Sequence, residues 1–251
     1  MIRRSSAVPW AVLLLALAPV PAGAEEETLA EQAVDPTASL MSLQLFDNFT
    51  ADLWQQDGTS NEVLFRAAIP FRAWKAPNIF RATVTYTTGG VRGSGIESAQ
   101  LFDLVVIPES WGRWGLGPLV SFQRDGGPGG PGPFAAGFAV GFTMKLGRWL
   151  IGLFNQNLFG RNVAISQLQP ILAYQLGDGW TLSLGDAQFP FDWNGMDLVA
   201  APLSVQLGKV VEIAGQPVRF FVNPQYNLVN RAGADRWTIG AGFAFLVPSG
   251  T

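Results

Sequence analysis

The chain contains no cysteine and no histidine. Without thiols there is no disulfide framework, no lipid-modified anchor, no thiolate zinc site and no cysteine nucleophile. Without imidazole the commonest general base and metal ligand near neutral pH is missing. Charged residues are scarce too, at 14% against 48% hydrophobic, a balance that excludes a disordered chain or a coiled coil. Past the N-terminus no run of 18 apolar residues occurs in which a helix could cross a bilayer. Yet the chain carries 18 Phe and 9 Trp in 251 residues, so its hydrophobicity must be distributed in another way.

Residues 1–24, MIRRSSAVPWAVLLLALAPVPAGA, begin with Arg3 and Arg4, continue in the short apolar run Val12 to Ala18, and end in the small residues Ala22-Gly23-Ala24. This is the pattern of a secretory signal peptide cleaved near Ala24, and its prolines and shortness argue against a retained anchor. Its removal takes two of the 16 basic residues and no acid, leaving 14 against 19 and a net charge of −5. A nucleic-acid partner is not expected on that balance, because neutralising phosphates requires a basic surface. Residues 25–39 open with three glutamates and have no periodicity. They read as a solvated, acidic periplasmic lead-in.

From about Leu40 the apolar residues recur at every second position, the repeat of a strand with one apolar face. In IFRATVTYT, Phe80, Ala82, Val84 and Tyr86 alternate with Arg81, Thr83, Thr85 and Thr87. In VRFFVNPQYNL, Val218, Phe220, Val222, Tyr226 and Leu228 alternate with Arg219, Asn223, Gln225 and Asn227, Phe221 being the exception. The same alternation runs through FAAGFAVGFTMK, QLQPILAYQL and WTIGAGFAF. A soluble sandwich would place Lys, Glu and Asp on the second face. Here that face is mostly Gly, Ala, Ser, Thr, Gln and Asn, which suits the interior of a closed barrel whose outer face meets lipid. The expected fold is all-β: a transmembrane, antiparallel, up-and-down β-barrel of about 12 strands over residues 40–248. The strands are predicted near 40–53, 61–71, 78–88, 97–107, 114–124, 134–145, 148–159, 164–176, 179–189, 200–210, 216–229 and 235–247.

Aromatic side chains favour membrane interfaces and so should fall near strand ends. Trp74, Trp111, Trp114, Trp149 and Trp180 lie at alternate connections, the short ones, and are assigned to the periplasmic rim. Trp54, Trp193 and Trp237 flank the other set, which includes GGVRGSG, RDGGPGGPGP and FPFDWNGMD and is assigned to the cell surface.

The early SLQLFDNF followed by VLFRAAIPF, the strand GLGPLVSF, the hairpin LQPILAYQLGDGWTLSL, the segment PLSVQLGKVVEIAGQPVRFFVNPQYNLV and the closing DRWTIGAGFAFLVP come in a characteristic order. Over roughly residues 38–248 the chain resembles the phenol-degradation MetA-pathway family of outer-membrane β-barrels, also described as transporter or neuromedin-U-like proteins. The resemblance implies a porin-like barrel with a transport role and carries no catalytic residue.

The most informative polar group is a trio of charges expected to point inward, Arg66, Arg81 and Asp103. Folding strands 61–71 and 78–88 together about residues 73 and 74 puts Arg66 almost opposite Arg81. Pairing about residue 92 brings Asp103 beside Arg81. One carboxylate would then offset two guanidinium groups. Two readings stay open, an ion-paired plug that fills the lumen and a constriction that selects solutes by charge. Gln44, Asn48, Arg219, Asn223 and Gln225 would extend the polar lining. The partners implied are the lipid bilayer and a small-molecule solute, hydrophobic solutes among them. The alternative is a non-conducting structural or partner-binding barrel. No enzymatic activity is expected, since the barrel hydrolases use a histidine. Asp186, Asp192 and Asp197 could offer carboxylates to a surface cation, but their spacing fits no standard calcium loop. No metal and no cofactor is assigned, and oligomeric state is left open.

Overall fold

A computed structural model describes residues 27–73, 75–89, 94–124 and 134–248. Residues 1–26, with the predicted signal peptide, Trp74, residues 90–93 and 125–133, with most of the two Gly-rich segments, and residues 249–251 lie outside the described residues.

Every long element is a strand. A four-residue helix, α1 (Leu29–Gln32), precedes β1 (Leu40–Leu53), β2 (Ser60–Ala73), β3 (Ala76–Gly89), β4 (Gly95–Glu109), β5 (Gly112–Gln123), β6 (Phe134–Leu146), β7 (Trp149–Gly160) and β8 (Val163–Gly177). Then come shorter pieces, β9 (Trp180–Ser183), β10 (Phe189–Asp192), β11 (Asp197–Leu198), β12 (Pro202–Ser204) and β13 (Gln206–Ile213), and two long strands, β14 (Gln216–Asn227) and β15 (Asp235–Pro248). β9 and β10 form one interrupted stave, and β11 to β13 form the next. The fifteen segments therefore make a 12-strand antiparallel barrel. It closes where β1 pairs with β15, from Leu40 opposite Pro248 to Leu53 opposite Asp235. Closure leaves no free edge, as a lipid-spanning sheet requires.

The alternating residues take the expected faces. Phe65, Tyr86, Phe138, Leu172, Phe220, Val222, Ile239 and Phe245 are exposed on the outside, where a water-soluble sheet would carry charge. Trp111, Trp114, Trp149 and Trp180 lie at the rim of short turns, and Trp237 and Trp193 at the rim of longer loops. Trp111, Trp114 and Phe142 stack at the first rim, and Trp54, Tyr226 and Trp237 at the second. These are the two aromatic girdles of a membrane barrel.

Three features differ from expectation. First, the interior is not uniformly polar. On the β4 to β8 side Phe102, Leu104, Leu119, Phe154 and Leu158 are each 3% exposed or less and form a dry core inside the barrel. Their strands are apolar on both faces, so alternation alone does not report them.

Second, the lead-in is not solvated. Residues 27–39 enter the turn-side mouth, where Ala30, Glu31, Asp35, Thr37 and Ala38 are buried. A capping box between Thr28 and Glu31 starts α1. Leu29 and Ala33, with Val210 of the wall, pack against the cluster of Leu40, Ala244 and Leu246, and Val34 packs against the dry core. The acids face cations on the wall: Arg113 donates to Glu27 at 2.7 Å and to Asp35 at 2.7 Å, and Lys145 pairs with Glu31 at 3.0 Å.

Third, the ninth and tenth staves are interrupted. Between Ser183 opposite Gln206 and Phe191 opposite Leu198 they share no ladder pair. Leu184 still donates its backbone N–H to Leu172 at 3.0 Å, and residues 185–188 then leave the wall, which Gly185 permits with a φ of +61°.

Candidate functional site

Residues 185–188 turn into the lumen and carry Asp186 with them. Its carboxylate accepts from Arg66 on β2 at 2.6 Å and from Gln169 on β8 at 3.3 Å. Arg66 also donates through Nε to Thr83 at 3.3 Å and lies 5.5 Å from the ring centre of Phe46. The bridge spans the lumen between the second stave and the ninth, and empty space lies on either side of it.

The chamber on the turn side, about 90 Å³, is lined by Arg66, Arg81, Gln206 and Arg219 from the wall, by Asp186 and by residues 32–36 of the inserted segment. The chamber on the loop side, about 160 Å³, is lined by Phe46, Asn48, Arg66, Asp186, Asn223 and Gln225. Arg66, Asp186, Gln206 and Phe221 line both.

The first chamber is rich in guanidinium groups. Arg219, 5% exposed, donates to Gln206 at 2.7 Å and lies over the ring of Phe221 at 5.2 Å. It fits against the backbone of β13 because Gly208 has no side chain: a Cβ there would come within 2.6 Å of the Arg219 guanidinium. Arg81 lies over the ring of Phe102 at 4.9 Å. The buried Nε atoms of Arg81 and Arg219 have no hydrogen-bond partner among the described residues.

Seven of the eight lumen candidates face the interior. Gln44, Arg66 and Thr83 form one row across β1, β2 and β3, and Ala68, Arg81 and Phe102 form another. Arg66 and Arg81 are therefore diagonal neighbours on one face, two residues apart in register, and not directly opposed. Asn48 and Asn223 flank Gly240, and Gln225 is paired with Thr238. Gln44, Arg66, Arg81 and Arg219 serve the turn-side chamber, and Asn48, Arg66, Asn223 and Gln225 the loop-side one.

Asp103 does not join them. It lies opposite Phe80 on the outer face, while Phe102 takes the place beside Arg81. A register shift between Thr85 and Tyr86 is responsible, because a slip of one residue exchanges the faces of a strand. The carboxylate that offsets the arginines is instead Asp186, which the sequence offered only as a carboxylate for a surface cation, with a spacing that fits no standard calcium loop. Asp192 and Asp197 do oppose each other in the β10 to β11 hairpin, and Asp197 pairs with Arg231. Among the described residues no group of three acidic side chains could hold a metal ion. The signal for the lumenal Asp186 is present in Leu184-Gly185-Asp186, where the alternation of the ninth strand breaks.

No protein-family model matches the chain, and no curated protein matches it. Solved structures do. An outer membrane channel from Pseudomonas putida F1 matches at 12% identity with a TM-score of 0.57, over 85% of this chain and 100% of that one. The outer membrane phospholipase A from Escherichia coli matches at 12% identity with a TM-score of 0.47, over 87% and 95%. A Rhodopseudomonas blastica porin matches at 10% identity with a TM-score of 0.31, over 83% and 99%. At 12% identity the likeness to the Pseudomonas putida channel is one of fold alone, and the fold class is that of an outer-membrane β-barrel.

Proposed function

We propose that the chain is an outer-membrane channel that passes small solutes through its lumen, exported by the signal at residues 1–24 and closed in the present conformation by residues 27–39. The observation that carries this reading is the pair of chambers, about 90 and 160 Å³, on either side of the Arg66 to Asp186 bridge. A barrel built only as a scaffold has no need for a charged crossbar between two cavities, since filling the lumen with apolar side chains is at least as stable. The resemblance of the sequence to the phenol-degradation MetA-pathway family agrees with a transport role. The reading contains no catalytic step, metal or cofactor, and the chain has neither histidine nor cysteine to build the usual sites.

A second reading rests on the dry core. Phe102, Leu104, Leu119, Phe154 and Leu158 fill part of the lumen, as they would in a structural barrel that conducts nothing. Planar-bilayer recording of the refolded mature chain separates the two. The channel reading expects discrete openings, more frequent when residues 25–39 are deleted. A barrel that folds and inserts but stays silent in both forms establishes the structural reading.

A further inference from the structure

We propose that the turn-side chamber is a binding site for a small organic monocarboxylate, held by Arg66, Arg81 and Arg219 against an apolar floor. The inference rests on the channel reading only for the identity of the solute; the site itself does not need the barrel to conduct.

The charges of the lining point to an anion. Three guanidinium groups line the chamber and two carboxylates, Asp186 and Asp35. Asp186 is engaged by Arg66 and Gln169. Asp35 lines the chamber as well and accepts from the backbone and hydroxyl of Thr37 at 2.8 and 2.7 Å, from Arg113 at 2.7 Å and from Thr143 at 3.3 Å. No hydrogen bond joins Asp35 to Arg66, Arg81 or Arg219 among the described residues. Counting both carboxylates, the lining carries one more positive charge than negative. Arginine does not give up its proton to relieve such an excess, and a buried charge without a counterion is costly.

Geometry points the same way. Arg81 and Arg219 each keep a buried Nε with no acceptor among the described residues, while their planes are fixed by the rings of Phe102 and Phe221. With their planes held and their charge not met by a hydrogen-bonded carboxylate, the two guanidinium groups give the chamber they line a preformed cationic wall. One negative charge balances the surplus, which favours a monoanion over phosphate or sulfate. Ala68, Ile79 and Ile171 also line the chamber and would cover an apolar tail, which favours a carboxylate over a halide. The mouth on the turn side is covered by residues 32–36, so the bound anion would be enclosed.

The test uses the refolded mature chain in detergent, with butyrate, its neutral isostere butyramide, and chloride as separate titrants in calorimetry. Butyrate is expected to bind saturably and to raise the melting temperature, and butyramide and chloride at equal concentration are not. Arg81→Gln and Arg219→Gln should each weaken butyrate about tenfold or more, and Arg81→Lys should recover part of the loss. Equal binding of butyrate and butyramide, absence of saturable butyrate binding, or unchanged affinity in both Gln variants overturns the site. Should one Gln variant fail to fold, as judged by heat-modifiable gel mobility, the other and Arg81→Lys decide. A silent barrel that binds butyrate removes the channel and keeps the site. A conducting barrel that does not bind butyrate does the reverse.

Discussion

Arg66 and Asp186 meet inside the barrel at 2.6 Å although 120 residues separate them in the chain. Arg66 comes from a regular strand, whereas Asp186 arrives only because the ninth stave is interrupted after Ser183. The contact ties the most regular half of the wall to its least regular part.

Replacing Asp186 with Asn removes the carboxylate between Arg66, Arg81 and Arg219. Breaking a fully buried pair costs roughly 3–5 kcal/mol, but the Asp186 side chain is 39% exposed and solvent screening reduces the loss. The expected destabilisation is about 1–2 kcal/mol, measured by urea unfolding followed through tryptophan fluorescence. In a conducting barrel the same substitution should raise the preference for anions. An unaltered unfolding midpoint and reversal potential would leave the bridge without a role.

Asp35→Asn tests what holds the inserted segment. The Asp35 side chain is fully enclosed, and its charge is met by Arg113. An amide keeps the size and loses the charge, leaving Arg113 paired with Glu27 alone at this site. Hydrogen exchange over residues 29–38 should accelerate by about tenfold, the equivalent of about 1.4 kcal/mol, while the strands keep their protection. Exchange as slow as in the unaltered protein would show that apolar packing of Leu29, Ala33 and Val34 suffices.

Glu27 behaves in the opposite sense. Burial raises its pKa above the ordinary carboxylate value, and the nearby Arg113 only partly opposes this. The docked segment therefore binds a proton at Glu27 more tightly than the released segment does. Docking gains from that proton fully at pH below the ordinary carboxylate value and loses the gain as the pH rises through the raised one. Glu27→Gln should consequently leave docking at neutral pH intact or slightly firmer, and should flatten the pH dependence of exchange after correction for intrinsic rates. Faster exchange in Glu27→Gln at neutral pH would mean that the Arg113 contact outweighs burial and that the coupling has the reverse sign.

How much of this was legible in the sequence follows from where one face differs from the other. IFRATVTYT and VRFFVNPQYNL separate apolar from polar residues cleanly, and their outward and inward sets are found as written. Phe221, the exception in the second, lines both chambers. LFDLVVI and LIGLFNQNLF are apolar on both faces, so nothing local says that Phe102, Leu104 and Phe154 fill the lumen. Asp103 is misplaced by a single residue of register: the bulge at Glu97, opposite Thr85 and Tyr86, has no signature in composition. The inserted segment was illegible for another reason. An acidic stretch looks solvated until Arg113 and Lys145, 78 and 114 residues away from their partners, are known to face it.

Phe154→Ala bears on whether the lumen is a path or a filling. The Phe154 side chain is completely enclosed, its ring 6.1 Å from that of Phe102. It occupies room that Gly141 leaves open on the neighbouring strand, where a Cβ would collide with the ring. Truncating such a residue removes its packing and leaves a void, at a cost of roughly 3–5 kcal/mol. If the dry core is a fixed wall beside a separate polar path, the variant should unfold at lower urea but conduct with unaltered unit conductance. If the core is itself the obstruction, unit conductance should rise in proportion to the space released. The position of the chambers favours the first outcome, because Phe154 lines neither of them. A clear gain in unit conductance from this one truncation would move the solute path from the arginine side of the barrel to the apolar side.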